Sequence, residues 1–230
     1  MNLSRKWLGE FTTITASNHD FAEDMTISGS KVETFEDLSA EISNVVVGRV
    51  VEMKKHENSD HMFVCQIDVG EEVTQIVTGA QNVNVGDLVP VAKHKSVLPG
   101  GIKITKGKLR GEQSNGMLCS LAELKLEVRD FPYAIEDGIW IIDEPDAEIG
   151  MDICKLIGAD DTVVEFEITP NRPDCLSVIG LAREVAATYN TPLNLHTPVV
   201  KGGAEGNLFE LLDVETPAEE LCPRYTAKMV

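Results

Sequence analysis

The sequence predicts an α+β chain of more than one domain, built around a small β-barrel. Three observations lead there. From Ile42 onward the residues fall into short β-branched runs, broken by turn residues at the spacing of a small barrel. After Val163–Ile168 comes the most regular helical pattern in the chain, with Val178, Leu181, Ala182, Val185 and Tyr189 at i, i+3, i+4, i+7 and i+11. Residues 1–38 hold two short helices and a strand, too little to bury a core alone. A length of 230 residues suits one or two compact units plus a remaining piece.

Each element has a local reason. Ser4 is placed to cap a short helix that carries Trp7, Leu8 and Phe11 on one side. A second helix follows Ser17, with Phe21, Ala22, Met25 and Thr26 facing inward, and Gly29 closes it in a left-handed conformation. Lys31–Phe35 alternates as a short strand. Val45–Met53, Met62–Val69, Val73–Thr78 and Leu88–Ala92 are the first barrel strands, separated by Asn58-Ser59-Asp60, Gly70 and Val85-Gly86-Asp87. Strand-like pieces recur at Ile102–Ile104, Met117–Cys119 and Ile139–Ile142, with room for one short helix near Leu121–Leu126. The run VVEFEI at 163–168 is a further strand. It enters Thr169-Pro170-Asn171-Arg172-Pro173-Asp174, where two prolines forbid a continued ladder. Asp174 is expected to cap a helix from Cys175 to Tyr189, with Asn190 and Pro192 at its exit. Beyond Pro198, KGGAEGN reads as a Gly-rich linker, Leu208–Val214 as a strand, and CPRYTAKMV as the start of another.

Charge sets one stretch apart. The chain has 38 acidic against 20 basic residues, a net charge of −18. That balance argues against coating nucleic acid non-specifically or adhering to an anionic membrane. Between Val91 and Gly111, however, Lys93, Lys95, Lys103, Lys106, Lys108 and Arg110 occur with no Asp or Glu among them. Such a patch offers phosphate a local favourable surface. The alternative is a Lys-rich strand edge that discourages edge-to-edge pairing.

The five cysteines show no CxxC and no zinc spacing, and they are expected to be reduced and mostly buried. No GxGxxG, GxxxxGK[ST] or HExxH occurs, and the five histidines have no pairing at metal spacing. The sequence therefore assigns no catalytic residue and no metal ligand. No segment has the ~20 apolar residues of a membrane span, and MNLSRKWLGEF lacks the apolar core of a signal peptide, so the cytoplasm is expected.

Two stretches resemble known families. VGRVVEMKKHENSDHMFVCQIDVG, QIVTGAQNVNVGDLVPVA and GKLRGEQSNGMLCS, within 45–120, resemble the tRNA-binding domain of several aminoacyl-tRNA synthetases and free-standing tRNA-binding proteins. That domain is an OB-type barrel with a KxHPNADKL-like turn, a QIVSGxxN-like strand exit and a KLRGxxSxGM-like segment. In the turn the usual Pro and the Lys after Asp are replaced, so no RNA contact is assigned to it. EFEITPNRPDCLSVIGLAREVAA, at 165–187, and the opening NLSRKWLGEF with ISGSKVETFE resemble the N-terminal part of bacterial phenylalanyl-tRNA synthetase β subunits.

The resemblance implies a five-stranded OB-type barrel, residues 39–151, inserted into a small discontinuous α/β domain made of 1–38 and 152–197. Val32–Phe35 would then pair with Val163–Ile168. Residues 198–230 would begin a third domain, of the editing region. The implied partners are tRNA(Phe) and the synthetase α subunit in an α2β2 assembly, with neither DNA nor membrane. ATP and Mg2+ serve the full enzyme, and no cofactor is implied in this piece. The candidate RNA contacts are Lys93, Lys95, Lys106, Lys108 and Arg110, with Ser114, Asn115 and Met117 of the SxGM-like element. Few aromatics are available for stacking. Phe63, Phe131, Tyr133 and Trp140 read mainly as core, so binding would rest on phosphate contacts. Asn171, Arg172 and Asp174 are read as structural or interface residues. Other readings are a separate tRNA-binding module, or a scaffold barrel without RNA contact.

Overall fold

The computed structural model describes residues 1–199 and 207–227, in two units, 1–195 and 196–230. The first unit opens with β1 (Asn2–Ser4), α1 (Arg5–Gly9), α2 (Asn18–Ile27) and β2 (Val32–Asp37). Ser4 and Ser17 cap the helices as expected, accepting from Trp7 N–H at 2.9 Å and Asp20 N–H at 3.1 Å. α2 ends around Gly29 (φ +104°), with Gly29 N–H on Thr26 O at 3.1 Å and Ser30 N–H on Met25 O at 2.8 Å. Leu8, Phe11, Phe21 and Met25 are buried, but Trp7 is 53% exposed. α1 stops at Gly9, so Phe11 reaches the core from a turn and not from the helix face that carries Trp7. Thr26 is likewise on the surface, where its hydroxyl accepts from Val32 N–H at 3.0 Å.

Next come β3 (Ser43–Lys55), β4 (Phe63–Asp68), β5 (Val73–Thr78), β6 (Leu88–Leu98), β7 (Ile102–Lys103), β8 (Gly107–Leu109), β9 (Glu112–Ser114) and β10 (Gly116–Leu118). The four-residue helix α3 (Ile153–Leu156), β11 (Thr162–Phe166) and α4 (Val178–Tyr189) complete the unit. All strand pairings are antiparallel. One sheet has the order β1-β11-β2, so the pairing expected between the N-terminal strand and VVEFEI is present. The larger sheet has the order β10-β6-β3-β4-β5, with β7 on β6, and β8–β9 is a separate hairpin. This is a mixed α/β architecture with antiparallel sheets. Among the described residues no ladder closes β10 onto β5. The two edges do approach, with Asn115 N–H on Gln75 O at 2.8 Å.

The Val run in β3 follows the period of two. Val45 and Val47 enter one core with Ala92, Leu98, Trp140 and Ile153. Val46 and Val50 enter another with Ile67, Ile76, Val89 and Val91. Burial on both faces explains why the strand reads as continuous apolar sequence. A third core joins Leu3, Leu8, Phe21, Met25, Val164, Phe166, Leu181 and Val185, drawn from both ends of the unit.

Five further expectations need correction. Ile139–Ile142 is not a strand; Trp140 N–H bonds Cys119 O at 3.1 Å and Ile142 N–H bonds Leu88 O at 2.8 Å, single bonds to two different segments. The helix near Leu121–Leu126 shrinks to one 3-10 turn, Ala122–Leu124. Asp174 does not cap the long helix. Pro173–Leu176 forms a 3-10 turn, and Ser177 caps α4 by accepting from Gly180 N–H at 3.0 Å. In the second unit Leu208–Val214 is not a strand. Asn207 caps a four-residue helix there, α5 (Leu208–Leu211), accepting from Phe209 N–H at 3.2 Å. No strand occurs in 222–227, the described part of CPRYTAKMV. Residues 201–206 of the expected Gly-rich linker lie outside the described residues.

The 3-10 turn rests directly on α4 at Gly180. A Cβ added at Gly180 would lie 1.8 Å from Asp174 O. Gly180→Ala is therefore expected to cost about 3 kcal/mol through overpacking. Gly9, with nothing within 4 Å of its added Cβ, should accept Ala with a gain of about 0.5 kcal/mol. Urea midpoints of the two variants check both signs.

Candidate nucleic-acid interface

β6 extends past its expected end at Ala92 and carries Lys93, His94 and Lys95 on a strand. Asn44 Nδ2 donates to His94 O at 3.0 Å, and His94 Nδ1 accepts from Lys106 N–H at 3.1 Å. Lys93, Lys106 and Asn115 thereby share the lining of one small cavity, of ≈ 210 Å³, with His94, Asn44 and Glu72. Lys95 is exposed at φ +70°, its N–H on Ile104 O at 2.8 Å. It is not part of that lining.

Lys103 lies on β7, and Lys108 and Arg110 ride on the β8–β9 hairpin. Leu109 pairs Glu112, leaving Arg110-Gly111 as a two-residue turn with φ of +49° and +101°. Positive φ at both positions is what a type I′ hairpin turn requires. Lys108 and Arg110 are exposed, and Arg110 Nη1 lies 3.4 Å from Asn58 O. Among the described residues, none of the six basic side chains of 91–111 forms an ion pair, whereas Lys6, Lys31, Lys54, Lys125, Arg129 and Arg172 all do.

The SxGM-like element is divided. Ser114 is buried; its hydroxyl accepts from Val77 N–H at 3.1 Å and donates to Gly116 O at 2.9 Å. A Cβ on Gly116 would lie 2.4 Å from Ala92 O, so this glycine permits the close approach of β10 to β6. Met117 packs against the Trp140 core. Asn115 alone of the three polar or apolar candidates reaches the cavity. Trp140 is buried with Phe131 at 4.5 Å between ring centroids, and Trp140 Nε1 donates to the Tyr133 hydroxyl at 3.3 Å. Phe131 and Trp140 pack together as core, but Tyr133 is 42% exposed and not the core residue expected; none of the three lines the cavity that holds Lys93 and Lys106.

Two anchors of the hairpin were not singled out from sequence. Gln75 Nε2 donates to Gln113 O at 2.9 Å, and buried His56 sits 3.1 Å from Leu109 O. Both lie inside stretches that carry the tRNA-binding resemblance, which was the signal available for them.

Residues 45–139 match the family described as "Putative tRNA binding domain". Over 100% of its length the chain is 44% identical to the phenylalanine–tRNA ligase beta subunit of Clostridium acetobutylicum, and 44% identical to that of Clostridium tetani. Along its whole length the chain is similar to bacterial phenylalanine–tRNA ligase β subunits. It spans 28% of the length of these relatives. Among solved structures, the C-terminal domain of Plasmodium vivax p43 is 24% identical, covering 50% of this chain and 61% of that one at a TM-score of 0.34, a likeness too slight to bear on the fold.

The β-subunit-like segment after β11 holds a second cluster. Arg172 meets Asp174 with Nε at 3.2 Å and Nη2 at 3.0 Å, and meets Glu184 on α4 with Nη2 at 2.7 Å. Asn171 is exposed beside it. Asp174, Cys175 and Glu184 are close enough together to hold a cation. The guanidinium already lies across both carboxylates, and burial raises the Cys175 thiol above its ordinary pKa. The group is therefore built as a fork that fastens the NRPD turn to α4. Elsewhere burial pushes the Cys65 and Cys154 thiols up to about 11 and Cys119 up to about 12, away from the thiolate a nucleophile needs.

Hydrogen bonding from Arg172 holds the Asp174 carboxyl below its ordinary pKa. Its contribution to stability is present above the unfolded value of about 3.9 and is lost as pH falls through the lower folded value. Asp174→Asn should accordingly flatten the fall in stability below about pH 4. Urea midpoints between pH 7 and 2.5 read the difference; an unchanged acid limb would show that the fork is not coupled to folding.

Proposed function

We propose that this chain is the tRNA-contacting N-terminal region of a phenylalanine–tRNA ligase β subunit, and that it contributes binding and assembly but no chemistry. The whole protein joins phenylalanine to tRNA(Phe) with ATP and Mg2+, in the cytoplasm, as an α2β2 assembly whose α subunit carries the catalytic site. Within the chain, residues 39–151 act as an OB-type barrel and 1–38 with 152–197 as one α/β domain around it. Residues 198–230 lead into the next domain.

One observation carries the reading: an unpaired basic stretch in a protein of net charge −18, grouped around one cavity and one hairpin inside the tRNA-binding match. Lys93, Lys106 and Asn115 meet phosphate at the cavity, Lys108 and Arg110 at the hairpin, and Lys95 from the strand. Ser114 and Met117 support these contacts from inside. Asn171, Arg172 and Asp174 fasten the α/β domain. Cations around a cavity with no Phe, Tyr or Trp in its lining favour backbone contact over base reading.

Each neutralised phosphate releases counterions, so tRNA affinity should fall with salt by a slope of roughly 0.9 per contact on duplex and less on single strands. Reversing Lys106, Lys108 and Arg110 to Glu is expected to abolish low-salt binding, while reversing exposed Lys155, Arg183 and Arg224 should change it little. Unchanged affinity and slope in the first triple variant would make the stretch an edge-protecting device on a scaffold. The chain alone should also give no phenylalanine-dependent exchange between pyrophosphate and ATP. Exchange above background without an α subunit would overturn the division of labour.

A further inference from the structure

The turn at 56–62 belongs to the tRNA-binding match but presents none of the cations assigned above. Its contribution is a tie. His56 is 4% exposed, and both ring nitrogens are engaged. Nδ1 lies 3.0 Å from Asn58 N–H and Nε2 lies 3.1 Å from Leu109 O. A backbone N–H can only donate and a carbonyl can only accept, so both bonds require the neutral ring protonated on Nε2. The ring closes its own turn on one side and grips the hairpin on the other.

Leu109 is the last residue of β8, immediately before Arg110. The opposite strand is rooted on β5, where Gln75 holds Gln113 O at 2.9 Å and Asn115 N–H at 2.8 Å. A hairpin of three-residue strands has little stability of its own, so its direction is set by what holds it. The Arg110 contact to Asn58 O, at 3.4 Å, is long. His56 is thus the firm tie at the tip.

We propose that His56 is a positioning residue of the RNA-binding face, holding the Arg110-Gly111 tip so that Lys108 and Arg110 present their charges to the same stretch of tRNA backbone as Lys106. The proposal rests on the tRNA-binding reading above. Its geometric half can be tested without RNA.

Two replacements each keep one of the two bonds. In His56→Asn the amide oxygen stands near the place of Nδ1 and can still accept from Asn58 N–H, but the side chain is too short for Leu109. In His56→Gln an amide N–H stands near Nε2 and keeps the tie, while the local acceptor is lost. In the full chain, tRNA affinity at low salt should fall about tenfold in His56→Asn and return to near the unsubstituted value in His56→Gln. A residue needed only to close its turn would give the reverse order. Equal loss in both variants at unchanged melting temperature, or no loss in His56→Asn, would overturn the proposal. Without RNA, amide exchange in 107–112 should quicken in His56→Asn and not in His56→Gln; unchanged protection overturns the tie. If the tie is seen by exchange but the unsubstituted chain shows no salt-dependent tRNA binding, the tRNA-binding reading fails, and the proposed role at an RNA face falls with it. Should Asn not be tolerated at a buried position, nitrogen NMR of the unsubstituted ring still decides. An Nε2-protonated ring with a slowly exchanging N–H is expected, and an Nδ1-protonated ring overturns the tie.

Discussion

The first unit depends on the register of β11. This strand lies between β1 and β2, pairing Val164 with Leu3 on one side and with Phe35 on the other. Thr162 faces Asp37, and Leu38 N–H bonds Asp161 O at 3.0 Å. The chain therefore leaves the small sheet and returns to it at adjacent positions, which lets residues 38–161 build other strands without stretching the sheet. Closing so long a loop costs little more than closing a short one, since the entropy grows only with the logarithm of length. The Asp161 carboxylate fastens the return point. It takes the Ser4 hydroxyl, Lys6 N–H at 2.9 Å and its neighbour Thr162 N–H at 2.7 Å, so the cap of α1 and the start of β11 are held by one side chain.

Partners, not residue type, separate the two basic clusters. Arg172 is held by two carboxylates and spends its donors inside the fold. Arg110 has only a long contact to a carbonyl, and the lysines around it have no acidic partner among the described residues. With −18 net charge there is no shortage of carboxylates. None stands within 91–111, and Glu72, which lines the cavity with Lys93 and Lys106, forms no ion pair with either, so these cations stay available to a phosphate.

What the sequence disclosed was local. Caps at Ser4 and Ser17, the left-handed exit at Gly29, the end of α4 at Asn190 and the apolar stripe of α4 each follow from a few neighbouring residues. The failures had two causes. Asp174 and Ser177 are both good caps, and the choice was made by Gly180, which lets the 3-10 turn lie on the helix and leaves Asp174 to Arg172. Ile139–Ile142 has strand composition but finds two partners instead of one. The cations were legible because charge stands out against an acidic chain. The anchors were not, because a buried His and a cross-strand Gln look like any others until their partners, Leu109 and Gln113, are known.

Backbone conformation bears on the basic face independently of charge. Non-glycine residues at positive φ cost energy, least for Asn, whose short polar side chain tolerates the left-handed region. Five such residues are described: Asn44, Lys95, Arg110, Lys125 and Asn190. The two Asn need no special account. Arg110 fills the first position of a turn for which Asn-Gly is the low-energy choice, and Lys95 takes φ +70° within a strand. Neither side chain makes an ion pair or fills a core, and beyond the long Arg110 contact to Asn58 O the fold gains nothing visible from a long cation at either place. Such strain persists when something else selects the residue. A guanidinium at the hairpin tip and an ammonium lifted out of the strand are what contact with a nucleic-acid backbone would select. Positive φ at 95 and 110 thus marks two strained positions within the basic stretch, by a physical route that does not pass through charge.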